Sequence, residues 1–239
     1  MKKFKGLFVI GTGTDVGKTV VCAGLMYLLR SKGYNACYFK PVSSGGANAP
    51  SGFASYDVSF VKEASVFDEA DDRINPYRYK SPVSPHLASK KEDRPIEKQI
   101  ILNRYKELIK DYDYIIVEGC GGLAVPLSDE GYMQYQLIKE LGTGCILVAK
   151  TSLGTINHTL LTLAFAKNTG IPVEGIVFSG FQGSLMEQNN IDTISKLTDV
   201  PVIGVVPRIK GIDVENKCLG ELRPVFEKTI HIEKMVANV

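Results

Sequence analysis

The sequence predicts an α/β fold, a doubly wound and mainly parallel sheet with helices on both faces, and three observations carry that expectation. Six short apolar runs recur along the chain, most of them continuous rather than alternating, as strands covered on both faces are. Helical patterns lie between most of these runs, the alternation that builds parallel sheets. The first run also leads directly into a glycine loop and then a helix, a unit suited to holding phosphate.

The first strand is expected over Gly6–Ile10, where Leu7-Phe8-Val9-Ile10 is uninterrupted. Residues 11–19 then read GTGTDVGKT, and Val20-Val21-Cys22-Ala23-Gly24-Leu25-Met26 continues them as a helix expected over Lys18–Lys32. This is the architecture of a P-loop. Backbone N–H groups and the helix N-terminus surround nucleotide phosphates, Lys18 reaches the terminal ones, and the Thr19 hydroxyl meets Mg²⁺. The usual first glycine position holds Thr12, with Gly11 and Gly13 on either side.

A second strand, Ala36–Phe39, ends in Lys40-Pro41-Val42-Ser43-Ser44. Lys40 there adds positive charge beside a transferred phosphate and Ser44 a hydrogen-bond donor, although a solvated lysine capping a strand fits the same residues. From Pro41 to Pro95 the alternation breaks. This stretch holds six prolines (Pro41, Pro50, Pro76, Pro82, Pro85, Pro95), a Gly/Ser/Ala run over Ser43–Ser55 and a short helical signal over Tyr56–Ala64. Its aromatic and apolar residues, Phe53, Tyr56, Phe60, Tyr77, Tyr79 and Leu87, point to a packed functional loop rather than a linker.

After a helix over Glu97–Lys110, the strand Tyr114–Val117 ends in Glu118-Gly119-Cys120-Gly121-Gly122. The acid stands as a Walker B carboxylate does, across Mg²⁺ from Thr19, and the glycines permit close backbone approach; a strand-end acid and a plain turn would look alike. Asp57 is a further acid for the metal. A helix over Tyr132–Leu141 and a strand over Cys145–Ala149 lead to Lys150-Thr151-Ser152-Leu153-Gly154-Thr155-Ile156-Asn157-His158, where a helix over Ile156–Asn168 begins. Its free N–H groups suit a substrate carboxylate, and equally an ordinary N-cap. The remaining elements are strand Gly175–Phe178, helix Met186–Leu197 and strand Val202–Val205; the segment after Pro207 is the least readable part. Ligands of such sheets gather at the carboxyl ends of the strands, where each motif falls.

At 239 residues and 44% hydrophobic content, one core and one domain over 1–239 are expected. Twenty-eight basic against 26 acidic residues leave a net charge of +2, which gives no field for nucleic acid or membrane and points to small-molecule partners. Cys22, Cys37, Cys120, Cys145 and Cys218 lack CxxC spacing and read as reduced structural thiols. Met1-Lys2-Lys3-Phe4 and the short strand behind it are too short for a secretory signal, so a soluble, cytoplasmic protein is expected.

Taken together, the motifs from Phe8 to about Pro207 closely resemble those of the dethiobiotin synthase family: the lengthened glycine loop, Lys40 to Ser44, Asn75-Pro76-Tyr77, Ser84-Pro85-His86, Val117-Glu118-Gly119, and Leu153-Gly154 with Asn157-His158. The resemblance implies an ATP-dependent ligase of biotin biosynthesis. CO₂ adds to one amine of 7,8-diaminononanoate, ATP phosphorylates the carbamate, and the second amine closes the ureido ring with loss of phosphate. It further implies that Lys18 and Lys40 stabilise the carbamate and transferring phosphate, with Thr14 and Ser44 as hydrogen-bonding partners. Thr19, Asp57 and Glu118 would surround Mg²⁺. Nucleotide contacts would come from Gly13, Asp15, Val16, Gly17, Lys18, Thr19 and Val20, from Asp57 and Glu118, Gly119, Cys120 and Gly121, and around the base from Ser179, Gly180, Pro207, Arg208 and Ile209. Gly154, Thr155, Ile156 and Asn157 would hold the substrate carboxylate from a second subunit of a homodimer. Replacing Lys40 by Ala is expected to stop turnover and leave the fold largely intact.

Asp15 stands where glutamate is common, and three departures accompany the resemblance: Cys120 where alanine is usual, Ser179-Gly180 where many members carry an asparagine that reads adenine, and Gly183–Asn190, which gives little anchor for the far end of the substrate pocket. The competing reading is a partition or division-site ATPase switch. Those proteins place a signature lysine five residues before the P-loop lysine, a position that Gly13 occupies here. A cobyrinate-type amidoligase would add a glutaminase domain for which this chain has no room.

Overall fold

A computed structural model describes residues 5–49 and 52–231. Met1–Phe4, Pro50 of the proline-rich stretch, Ser51 and residues 232–239 lie outside the described residues. In chain order the first half forms β1 (Lys5–Gly11), α1 (Lys18–Ser31), β2 (Ala36–Phe39), β3 (Val42–Ser44), β4 (Gly46–Ala49), β5 (Gly52–Ser55), α2 (Tyr56–Ser65), α3 (Asp71–Ile74), β6 (Tyr77–Tyr79), α4 (Pro85–Lys91) and α5 (Lys98–Asp111). The second half forms β7 (Tyr114–Gly122), α6 (Gln134–Leu141), β8 (Gly144–Lys150), α7 (Thr155–Asn168), β9 (Val173–Phe181), α8 (Leu185–Leu197), β10 (Val202–Pro207), β11 (Ile212–Asp213), β12 (Cys218–Leu219) and α9 (Leu222–Thr229).

The main sheet has six strands in the order β2-β7-β1-β8-β9-β10, every neighbouring pair parallel. Its strands read as apolar runs because helices cover both faces: Phe8, Val9, Ile10, Val117, Leu147 and Val148 have no exposed surface. β7 enters between β2 and β1, while the later strands extend the sheet from the other side of β1. The order therefore reverses around β1, and that is where a ligand crevice opens at the carboxyl ends.

Several expected boundaries move. β7 does not stop at Val117 but continues through Glu118 to Gly122. Val9 pairs with Glu118 and Gly11 with Gly122, so one residue of β1, Ile10, faces three of β7 in an irregular strand end. Glycines make that possible, since Gly121 takes φ +57° and a side chain at Gly119 would collide with Phe8 and Gln134. The Ser43–Ser55 run forms β3, β4 and β5 where an irregular loop was expected. β4 and β5 pair as an antiparallel hairpin, and a side chain at Gly46 would collide with the Ala54 carbonyl. Beyond Pro207 the chain makes the β11–β12 hairpin and α9, whose Leu222 and Phe226 are fully buried. The Phe226 ring lies where a Cβ on Gly24 would stand, which lets α9 close over α1.

Candidate functional site

The P-loop turns from β1 into α1 through Gly17, held at φ +97°. Any other residue there would be strained, and its Cβ would lie 2.5 Å from Ser179 Oγ. No side chain caps the first turn of α1, which leaves its N–H groups facing the loop. Lys18 is buried and its Nζ donates to the Gly13 carbonyl at 2.9 Å. Burial draws its pKa below the ordinary lysine value, against the opposing pull of Glu118.

Across the loop, Lys40 Nζ lies 2.6 Å from Asp57 Oδ2 and 2.6 Å from Glu118 Oε1. Burial is the largest influence on this ammonium and acts downward, yet the carboxylates of Asp57 and Glu118 outweigh it and hold the pKa above the usual lysine range. Asp57 is the mirror case. Burial is the largest influence and pushes its carboxyl up, but Lys40, the Thr19 hydroxyl and Lys18 together outweigh it, and the result lies below the ordinary value. Thr19 Oγ1 stands 2.8 Å from Asp57 Oδ1 and 2.9 Å from Glu118 Oε1. One hydroxyl proton serves one of these oxygens at a time, and Lys40 supplies the remaining positive charge to both carboxylates.

A second layer fixes these groups. The Tyr38 phenol donates to Glu118 Oε2 at 2.7 Å. Asn75 Nδ2 donates to the Lys40 carbonyl at 2.6 Å, and its Oδ1 accepts from Ser43 Oγ at 2.8 Å. Gln134 pins the irregular end of β7, accepting from Cys120 N and donating to the Gly122 carbonyl, each at 2.7 Å. The Cys120 thiol, raised by burial, donates to the Val42 carbonyl at 3.0 Å.

A cavity of about 770 Å³ brings together Thr14, Asp15, Gly17, Lys18, Thr19, Val20, Lys40, Ser44, Asp57, Glu118, Gly119, Cys120 and Gly121. Val20 also borders a second cavity of about 1020 Å³, where Ser179, Gly180, Pro207, Arg208 and Ile209 meet. Asp15 and Val16 line a recess between the loop and Lys150, Glu187 and Arg208. Gly154, Thr155, Ile156 and Asn157 line none of the three. Gly154 starts α7 at φ +91°, Thr155 is buried with its hydroxyl on the Lys150 carbonyl, Ile156 packs with Ala149 and Phe178, and Asn157 is exposed.

Ser43, Tyr56, Pro82, Ser84 and Pro85, which the sequence singled out without a site role, also stand in the cavity wall, and Val83, Val125, Val214 and Glu215 were missed. Val214 and Glu215 carried no signal, since two-residue strands have no period. Tyr38 did carry one, because residues two apart share a strand face and Lys40 stands two positions on.

The AAA domain family model matches residues 5–216. The ATP-dependent dethiobiotin synthetase BioD of Clostridium kluyveri is 40% identical over 98% of this chain and 98% of its own length. The chain belongs to the dethiobiotin synthetase family. The synthetase BioD of Caldicellulosiruptor saccharolyticus is 42% identical over 93% of this chain and 94% of that one. Among solved structures, the septum site-determining protein MinD of Pyrococcus horikoshii, complexed with Mg-ADP, matches at TM-score 0.62 with 16% identity over 94% and 93% of the two chains. A plasmid partition protein of Borrelia burgdorferi bound to AMPPNP matches at TM-score 0.60 and 15% identity, covering 100% of both. At those identities the likeness shows the fold of this synthetase family member and nothing of its activity. Among the described residues no helix is long and apolar enough to cross a membrane.

Proposed function

We propose that this chain is an ATP-dependent dethiobiotin synthase, a cyclo-ligase that carboxylates 7,8-diaminononanoate and closes its ureido ring. The observation that carries the reading is the pairing, in one cavity, of the P-loop ammonium of Lys18 with a second buried ammonium, Lys40, clamped by Asp57 and Glu118. Two fixed cations suit a reaction in which one anion, a carbamate, takes the phosphoryl group of another, since bringing the two together is the principal electrostatic cost.

Each step balances. One amine of the substrate adds to CO₂ and gives up a proton, forming the carbamate. The carbamate oxygen takes the terminal phosphoryl group of ATP and ADP leaves. The neighbouring amine attacks the activated carbonyl carbon, loses its proton, and phosphate departs. Lys18 and Lys40 hold the negative charge of the carbamate and the moving phosphoryl group, and Thr14 and Ser44, on the same cavity wall, orient the oxygens.

A hydroxyl and two carboxylates that meet on one cavity wall beside the P-loop are the oxygen donors a hard divalent cation takes. Among the described residues no group of three or more His, Cys, Asp or Glu forms a cage, in keeping with Mg²⁺ held by one or two carboxylates plus phosphate oxygens. Thr19, Asp57 and Glu118 would hold it, and when bound it supplies positive charge to the phosphates. The second cavity, beside Ser179, Gly180 and Pro207 to Ile209, takes the nucleoside.

A homodimer is part of the reading. α7 carries Ile156, Leu160, Leu161, Leu163 and Phe165, yet only Thr155, Thr159 and Ala166 of it are buried in this chain. Leu153 and Leu161 stand 86% and 62% exposed. So much apolar side chain left half-buried or exposed on one helix asks for cover. Pairing through it would bring Gly154–Asn157 of one chain to the Lys40 cavity of the other. Free thiols at all five cysteines support a cytoplasmic setting.

The test is purified protein given the diamine, bicarbonate, Mg²⁺ and each nucleoside triphosphate in turn, followed by phosphate release and product mass. Diamine-dependent phosphate release with a cyclised product is expected. Hydrolysis that ignores the diamine and answers to DNA or lipid would refute the ligase.

A further inference from the structure

Glu118 is 1% exposed, and its two oxygens lead different lives. Oε1 meets Lys40 Nζ at 2.6 Å and Thr19 Oγ1 at 2.9 Å, both of them groups of the cavity wall. Oε2 accepts from the Tyr38 phenol at 2.7 Å, and Tyr38 is fully buried and no part of that wall. The Cys22 thiol borders the same carboxylate and is only a weak donor.

Strand pairing dictates this meeting. β2 lies parallel to β7 with Tyr38 opposite Ile116 and Phe39 opposite Val117. Side chains alternate along each strand, so Tyr38 and Lys40 share one face of the sheet with Ile116 and Glu118. The phenol thus reaches the carboxylate from beneath, while Lys40 and Thr19 reach it from the cavity side.

A carboxylate turns freely about its last bond unless both oxygens are tied. With Oε2 unpaired in a buried place, the group would swing to share Lys40 through both oxygens, because an unsatisfied buried acceptor costs more than a bent hydrogen bond. We propose that Tyr38 is a positioning residue for the synthase reaction, tying back Glu118 Oε2 so that Oε1 alone is offered to Lys40, Thr19 and the divalent cation. The inference rests on the cation site of the proposed function, and its test separates the two.

Tyr38→Phe keeps the ring and removes only the donor. Mn²⁺ is the probe, titrated into protein with ADP and followed by the electron paramagnetic resonance of the free ion, so that no turnover is involved. Partners of metal ligands typically contribute 10–100-fold to affinity, and Y38F is expected to weaken Mn²⁺ binding by about tenfold. In steady state the KM for Mg²⁺ should rise more than kcat falls. Melting in the absence of metal establishes that the variant is folded. Thr19→Ala serves as control: binding unchanged in T19A removes the cation site itself, whereas loss in T19A with Y38F within about twofold of the parent overturns the role of Tyr38 alone. Should Y38F not fold, 3-fluorotyrosine at position 38 changes donor strength without changing shape; altered Mn²⁺ affinity supports the proposal, and unaltered affinity overturns it.

Discussion

Lys40→Met keeps the length and apolar stem of the side chain and removes the charge that Asp57 and Glu118 share, so its effect reads the electrostatics of the site rather than its packing. Taking one partner from a buried ion pair costs about 3–5 kcal/mol, because the other charge stays buried and unpaired. Lys40 serves two carboxylates, but their exposures differ: the Asp57 side chain is 28% accessible and screened by water, while Glu118 is 1% accessible. One buried pair is therefore the right count. For a chain of this size each kcal/mol moves Tm by about 2–4 °C, which places the fall at about 6–20 °C. The sequence alone suggested that losing Lys40 would spare the fold; two ion pairs of 2.6 Å say otherwise.

The pH dependence has a definite sign. Asp57 is held below its ordinary value of 3.8, so its contribution is present above that pH and is lost as pH falls through the folded pKa. Lys40 is held above 10.5, so its contribution is present below that pH and is lost as pH rises through the folded pKa. Between those limits the parent gains and loses nothing from the pair. In the variant, burial acts on Asp57 against only the Thr19 hydroxyl and Lys18, so its charged form is less favoured than in the parent and stability drains away as pH climbs from about 4 towards neutrality. Thermal melts of nucleotide-free protein at about pH 5 and about pH 7.5 should show the larger deficit at the higher pH. A deficit below about 3 °C at both, or one that shrinks as pH rises, would show that Lys40 is not holding a buried carboxylate.

Gly17→Ala forces a side chain onto φ +97° and against Ser179 Oγ; about 1–2 kcal/mol of backbone strain and weaker nucleotide binding by calorimetry are expected. Gln134→Leu leaves the Cys120 N–H and the Gly122 carbonyl without their partner, at about 1–3 kcal/mol for each group that stays unpaired; urea melts and faster amide exchange at Cys120 report it. Leu161→Glu charges the exposed face of α7; on the proposed homodimer, light scattering should show a dimeric parent and a monomeric variant, with activity falling alongside, and a dimeric L161E would remove α7 from the interface.

Much of the sheet was legible because buried parallel strands announce themselves as apolar runs. Ala36–Phe39 is found where the sequence put it, and Gly6–Ile10 lies within Lys5–Gly11. The end of β7 was not legible. Glu118-Gly119-Cys120-Gly121-Gly122 reads as strand then loop, since nothing local says that β1 and Gln134 will hold those glycines in an irregular extension. The hairpin after Pro207 was hidden for another reason: strands of two residues are shorter than one period of any pattern. Lys18, Thr19 and Glu118 stood out by motif. Asp57 did not, because what singles it out is a meeting with Lys40 and Thr19 across 17 and 38 residues of chain, and only the tertiary fold makes it.

Fold likeness cannot choose between a ligase and a switch, since both kinds of protein use this sheet; the choice falls to individual positions of the loop. At Gly13, five residues before Lys18, a Cβ would meet nothing within 4 Å, and the residue is not among those at positive φ. Neither packing nor backbone geometry requires glycine there, so the chain has room for the lysine of a switch ATPase and does without it. The Gly13 carbonyl is instead occupied from within, by Lys18 Nζ at 2.9 Å. The second ammonium of the site comes from Lys40 on the neighbouring strand end, buried and fixed by two carboxylates of its own chain. A cation supplied in this way is in place before any partner arrives, which suits chemistry on a small molecule better than a signal that depends on assembly.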